Sequence, residues 1–200
     1  MKETRVLVAG SGGQGILLLG RLIAYGGMLE GKDVTCFPSY GAEVRGGTAN
    51  STVILSDEMI GSPIVGNPDI LIAMNAASLG RFQPKLRSHG LLIFDSSLIK
   101  SPEIRPDITA VDVPASVIAA SANGKGSLQN GSSLSAAQMR SANMVMLGAL
   151  VEETGILKKE NAMSALEKLT SSKTQKTLEG NREAIRRGIQ YIADKKSKNR

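Results

Sequence analysis

Arg5-Val6-Leu7-Val8-Ala9-Gly10-Ser11-Gly12-Gly13-Gln14-Gly15 is the stretch on which the fold turns. A short apolar run that stops at glycines reads as a buried strand. Residues 14–30 then carry apolar side chains at helical spacing, from Ile16 through Leu19 and Ile23 to Met28, and Gly31 closes the helix. Strand, glycine turn and helix therefore follow one another. Gly10 to Gly15 fits the pattern G-x-G-x-x-G, in which glycines permit a tight turn and a close approach to the backbone. The free N–H groups at the helix start favour an anion.

Working outward, apolar strands are expected at 33–37 (halted by Pro38), 51–55, 69–74, 91–95 and 108–113, with a short helix at 76–86. Strands apolar on both faces and alternating with helices predict an α/β fold: three layers, a mainly parallel sheet with helices on both faces, and C-terminal helices. Residues 121–136 are rich in Ser, Gly and Asn and read as a flexible surface loop. Helices are expected over 137–153, 159–169 and 174–193. One domain over 1–200 follows, with a core at 1–120, the loop at 121–136, helices to 195 and a basic, frayed tail at 196–200.

Composition narrows the function. Hydrophobic residues make up 42% of the 200 and charged residues 21%, enough to bury a core. The net charge of +6 is not spread evenly: residues 156–200 hold twelve Lys/Arg against five Asp/Glu, and the first 155 sum to −1. With aromatics at 3% and the basicity at one end, no nucleic-acid surface is expected. Cys36 is the only cysteine and His89 the only histidine, so an internal disulfide, a cysteine-ligated cluster and a structural zinc site are excluded for this chain alone. Neither a signal-peptide pattern nor an apolar run of membrane length is seen, which predicts a soluble cytoplasmic protein with no membrane association.

The glycine turn by itself leaves three readings open. A dinucleotide site needs an acid at the end of the second strand for the ribose, and the nearest acid, Asp33, stands at its beginning. The others are a ligand-free tight turn and a loop that meets an anion or a neighbouring subunit. A second glycine-rich segment, Pro38-Ser39-Tyr40-Gly41-Ala42-Glu43-Val44-Arg45-Gly46-Gly47-Thr48-Ala49-Asn50, follows the second strand. A parallel sheet places it at the same carboxyl edge, where ligands bind in open α/β sheets. Tyr40 offers an aromatic face, and Arg45 can grip a phosphate or carboxylate with two N–H groups. An internal Glu43–Arg45 ion pair shaping the loop is the plainer alternative.

Together the two segments resemble the gamma subunit of the pyruvate, 2-oxoglutarate and branched-chain 2-oxoacid:ferredoxin oxidoreductases. The resemblance rests on Gly10 to Gly15, Gly31-Lys32 and Tyr40 to Gly47. Asp57 to Val65, Ala142 to Gly148 and Asn181 to Gly188 extend it over nearly the whole chain. Ala42 departs from the Pro that the family often carries, and 121–135 looks like an insertion.

The resemblance implies a non-catalytic subunit of a complex that decarboxylates a 2-oxoacid and releases an acyl-CoA. Thiamine diphosphate, Mg and the Fe–S clusters would belong to alpha, beta and delta-type partners, with ferredoxin taking the electrons. Gly10, Gly12, Gly13, Gln14, Gly15, Tyr40, Glu43, Arg45, Gly46 and Gly47 become candidate contacts for coenzyme A or for a neighbouring chain. No catalytic residue, no metal site and no cofactor held by this chain alone are expected. A free-standing dinucleotide-binding oxidoreductase and a non-catalytic assembly protein are the alternatives.

Single residues get modest roles. His89 is expected to cap a helix end, Cys36 to act as a small buried hydrophobe, and Met139, Met144 and Met146 to fill core or interface. The helix at 137–153 is apolar over much of its circumference, which fits deep core or, joined to the two glycine segments, a subunit interface, and for the isolated chain a homodimer.

Overall fold

The computed structural model describes residues 3–40, 48–122, 141–171 and 174–198. Six strands form one sheet: β1 (Glu3–Ser11), β2 (Asp33–Tyr40), β3 (Thr48–Ser56), β4 (Ile70–Ala73), β5 (Leu91–Asp95) and β6 (Thr109–Val113). Their spatial order is β2-β3-β1-β4-β5-β6. Pairings β1–β4, β4–β5 and β5–β6 are parallel, whereas β3 runs antiparallel to both β1 and β2. The mainly parallel sheet is thus as expected, with an antiparallel strand set into one half.

Alternation along the strands sorts side chains to two faces. Val6 and Val8 of β1, Ile70 and Ile72 of β4 and Ile93 of β5 pack on one side, under α1 (Ile16–Leu29) and α4 (Ala142–Thr154). Leu7, Ala9, Leu71, Leu92 and Phe94 pack on the other side, against Leu79 and Phe82 of α2 (Ala76–Phe82). Helices therefore cover both faces. Each fully buried Leu or Ile contributes about 1.5–3 kcal/mol to this arrangement.

Several expectations are corrected. β2 does not halt at Pro38 but runs to Tyr40, because it is an edge strand and pairs only with β3; a missing N–H is tolerated there. Residues 115–122 form an unexpected helix, α3 (Ala115–Ala122), so 121 and 122, expected in the loop, are helical; 123–136 lie outside the described residues. The tail is helical as far as it is described: α6 (Gln175–Lys198) includes the basic run, and Lys195 and Lys196 bond to Asp112 and to the Glu152 and Glu153 carbonyls. α5 (Lys159–Leu169) has the expected bounds.

Of the two causes expected for the apolar circumference of α4, deep core and not an interface is the one found. All ten residues from Ala142 to Val151 are buried within this chain, and α6 is its main neighbour. A Cβ on Gly148 would lie 2.1 Å from the Ile185 carbonyl oxygen, and one on Gly188 would lie 2.1 Å from that of Val145. The two helices meet backbone to backbone. α4 is a central core helix, so its apolarity supports no interface; Met144 and Met146 are core, and Met139 lies outside the described residues.

His89 is not a side-chain helix cap. It sits at φ 60° in the turn before β5, where its N–H donates to the Asp107 carbonyl at 2.7 Å. Cys36 is half-buried against the core, with Sγ 3.6 Å from Ser51 Oγ. None of the described helices is long and apolar enough to cross a membrane.

Candidate functional site

β1 is followed by α1 on one face of the sheet, and β4 by α2 on the other, so the carboxyl ends of β1 and β4 bound a crevice at which the winding reverses. Such a switch point is where open α/β sheets bind ligands. Here the crevice is bridged by side chains. Gln14 Oε1 accepts from the Ser11 N–H at 2.7 Å and from Asn75 Nδ2 at 3.2 Å, while Gln14 Nε2 donates to the Met74 carbonyl at 3.0 Å. Asn75 Nδ2 also reaches Ser11 Oγ, and Asn75 Oδ1 caps α2 through the Ser78 N–H. The amide of Gln14 is occupied in tying β1 to β4, so its contribution to a site is to hold the turn in shape.

The turn exposes backbone. Gly13 and Gly15 lie in the left-handed region at φ 95° and 72°, which favours glycine. Gly15 caps α1 without a side-chain acceptor, and the first turn of α1 contains no acid. Its leading N–H groups and the positive end of its dipole are therefore available to an anion. α4 meets the turn from the opposite side: Asn143 Nδ2 donates to the Gly15 carbonyl at 3.1 Å, and Ser141 precedes α4 with its Oγ donating to Asn181 Oδ1 at 2.7 Å and not accepting from the helix backbone.

Between them lies a cleft of about 410 Å³. Gly12, Gly13 and Gly15 line one wall, and Ser141, Asn143 and Asn181 another; Leu18, Met74 and Met144 supply apolar surface. Every described lining residue is uncharged. The nearby acid Asp95 is fully buried and already engaged: it accepts from the Ser97 N–H at 2.9 Å, the Ser116 N–H at 3.4 Å and Ser116 Oγ at 2.6 Å. It thereby compensates the start of α3, whereas the starts of α1 and α4 have no such acid in their first turns. The arrangement can hold an anion next to a neutral, partly apolar stem. Its described walls contain no residue suited to act as a nucleophile or general base.

Of the ten residues singled out from the sequence, Gly10, Gly12, Gly13, Gln14 and Gly15 cluster at this edge. Tyr40 ends β2 at the same edge, paired with Ala49 as Ser11 pairs with Thr48. Glu43, Arg45, Gly46 and Gly47 lie outside the described residues. Sequence reasoning missed Ser141, Asn143, Thr177 and Asn181. For Asn143 the available signal was an amide within the otherwise apolar α4, since a buried amide requires partners; the polar sequence of α6 offered no such signal for Thr177 and Asn181.

The family described as "Pyruvate ferredoxin/flavodoxin oxidoreductase" matches residues 5–191. The chain is 34% identical to the "Ketoisovalerate oxidoreductase subunit VorA" of Methanothermobacter thermautotrophicus over 96% of its own length, but spans only 37% of that protein. Among solved structures, the "2-oxoglutarate:ferredoxin oxidoreductase from Magnetococcus marinus with 2-oxoglutarate, coenzyme A and succinyl-CoA bound" superposes with a TM-score of 0.83 at 26% identity, covering 97% of this chain and 32% of that one. The "keto/oxoacid ferredoxin oxidoreductase, gamma subunit" from Geobacter sulfurreducens PCA superposes with a TM-score of 0.74 at 27% identity, covering 96% of this chain and 99% of that one.

Proposed function

Because the chain belongs to the pyruvate ferredoxin/flavodoxin oxidoreductase family, we propose that it is the gamma-type subunit of a 2-oxoacid:ferredoxin oxidoreductase. It acts with alpha, beta and delta-type partners in the cytoplasm, and the complex converts a 2-oxoacid and coenzyme A to an acyl-CoA. The observation that carries this reading is the cleft at the switch point: a place for a ligand beside a turn, with described lining residues that are all uncharged. A protein built this way contributes binding surface to chemistry performed elsewhere.

The lengths of the relatives support the same view. Segments equivalent to this chain form about a third of two longer polypeptides and nearly all of a third protein. One fold thus occurs both joined to other parts and on its own, as expected of a piece that works in an assembly. When bound in the complex, thiamine diphosphate would supply the carbanion chemistry and the Fe–S clusters the path for electrons. At least three of a cluster's four thiolates would come from outside this sequence, which has a single cysteine. This chain's part is to present backbone N–H groups from Gly12 to Gly15, together with Arg45, to coenzyme A. Native purification tests the reading: the chain should elute with thiamine- and cluster-bearing subunits, and elution alone would oppose it.

A dinucleotide enzyme is disfavoured by topology as well as by residue type. Antiparallel β3 stands between β1 and β2, moving the end of β2 roughly 10 Å from β1 instead of one strand spacing. Asp33 pairs with Ser56 at the far edge of the sheet. Calorimetry should find NADH binding no tighter than roughly millimolar, about −4 kcal/mol; micromolar binding would favour the dehydrogenase.

A further inference from the structure

We infer that the edge at which the parallel strands begin, opposite the cleft, is the surface that docks on a partner chain, with Met59 and Ile64 as its apolar anchors. The inference rests on the subunit reading above and adds where the assembly is held together. Four of the six large apolar side chains left exposed among the described residues stand at this edge: Met59 at 89%, Ile64 at 80%, Met28 at 60% and Leu29 at 43%. Met28 and Leu29 close α1, and residues 57–69 join the end of β3 to the start of β4. The register brings these parts to one end of the sheet, because Ser56 pairs with both Glu3 and Asp33, the first residues of β1 and β2.

Residues 57–69 contain no helix or strand, and a loop of such length in a compact domain is uncommon and usually functional. Local bonds hold it in shape: the Glu58 N–H donates to Ser56 Oγ at 3.1 Å, the Ile64 N–H to Ser62 Oγ at 3.2 Å, and Lys32 Nζ to Asp57 at 2.8 Å. Arg5 pairs with Glu3 at 2.6 Å and Arg87 with Asp69; together with Met59 these four line a recess of about 370 Å³. An apolar centre inside a charged rim is the anatomy of an interface. Side chains as exposed as Met59 and Ile64 add nothing to this chain's own core, so their apolar area counts only against a second surface.

The path of the chain identifies that surface. Glu3 begins β1 at this edge. α6 ends here too: Lys196 Nζ donates to the Glu152 and Glu153 carbonyls at the end of α4, and Lys158, just beyond α4, donates its N–H to Glu30 at the end of α1. In two longer relatives the equivalent of this chain is only 37% and 32% of the polypeptide. Chain joined to either end of this fold departs from the edge that carries Met59 and Ile64. The occupant is therefore the partner chain that corresponds to this joined polypeptide, and it supplies an apolar patch over Met59, Ile64 and Met28 within a charged rim.

Titrating the chain into partner subunits prepared without it tests this, with restored 2-oxoacid oxidation as the readout. Met59→Asp combined with Ile64→Asp should raise the concentration giving half-maximal activity about tenfold or more, the scale of an interface anchor. Activity at saturation and KM for coenzyme A should change less than about twofold, since the cleft lies at the other edge. Thermal unfolding of the isolated variant should stay within about 2 °C of wild type, because both side chains are exposed. Identical titrations for variant and wild type would overturn the inference. So would a wild-type dimer, seen by light scattering, that the variant dissolves with no change in the titration, which makes a second copy the occupant. A wild-type chain that restores no activity would refute the subunit reading, and this inference with it.

Discussion

Asn143 and Gly15, 128 positions apart in the chain, are hydrogen-bonded at a distance that only a glycine permits. Asn143 Nδ2 donates to the Gly15 carbonyl at 3.1 Å, and a Cβ on Gly15 would sit 2.3 Å from that same nitrogen. The C-terminal helices are thus fastened directly to the turn that opens the domain.

Gly15→Ala should accordingly destabilise the protein on two counts. It displaces the Asn143 amide and puts a side chain at φ 72°, which alone costs about 1–2 kcal/mol. Asn143→Ala removes one of the two donors to the Gly15 carbonyl, which keeps the Leu19 N–H at 3.0 Å, and should cost about 0.5–1.5 kcal/mol. Urea denaturation of both single variants and the double should give a double cost smaller than the sum, since each breaks the same contact. Additive costs would mean that the two residues act independently.

Gly148 and Gly188 predict a larger effect elsewhere. Each faces a carbonyl of the opposite helix, and backbone cannot move aside as a flexible side chain can. Gly148→Ala and Gly188→Ala should each cost at least about 1–3 kcal/mol by forcing α4 and α6 apart. Thermal unfolding that moves by less than about 2 °C for either variant would contradict the backbone-to-backbone packing.

These contacts also mark what was legible in the sequence. β1, its turn and α1 could be read because apolar run, glycines and helical spacing are adjacent in the chain. Their partner wall could not: Asn143 and Asn181 acquire meaning only when α4 and α6 fold back over the turn. Pro38 misled for a related reason, since a proline is tolerated in an edge strand and edge position is a property of the sheet. The apolarity of α4 was visible, but nothing local showed that α6 would cover it.

A remote ion pair gives a pH test. Arg105 Nε and one terminal nitrogen bond to the two Asp107 oxygens at 2.9 and 2.5 Å, while its other nitrogen donates to the Gln83 and Leu86 carbonyls. Hydrogen bonding from Arg105, aided by Ser88, lowers the Asp107 carboxyl to about 2. A depressed folded-state value stabilises the protein above the unfolded value of about 3.9, and the contribution is lost as pH falls through about 2. NMR titration should show Asp107 moving up toward 3.9 in Arg105→Ala; an unshifted titration would remove Arg105 as the cause.

Arg45 lies outside the described residues, five positions in sequence after β2 ends at Tyr40. If it grips a phosphate of coenzyme A, Arg45→Ala should raise KM for coenzyme A in the complex by about tenfold or more, and Arg45→Lys should recover only part, because the two-pronged guanidinium is lost. An unchanged KM with intact assembly would assign Arg45 to the shape of its loop.

The central claim, that this chain completes a 2-oxoacid oxidoreductase without catalysing alone, is tested most directly by adding it back. Partner subunits prepared without it would be assayed for 2-oxoacid- and coenzyme A-dependent reduction of a low-potential acceptor, with increasing amounts of the chain. Activity absent from the chain alone, low in the partners alone and restored to saturation by mixing is the predicted result. Full activity in the partners without it would contradict the claim.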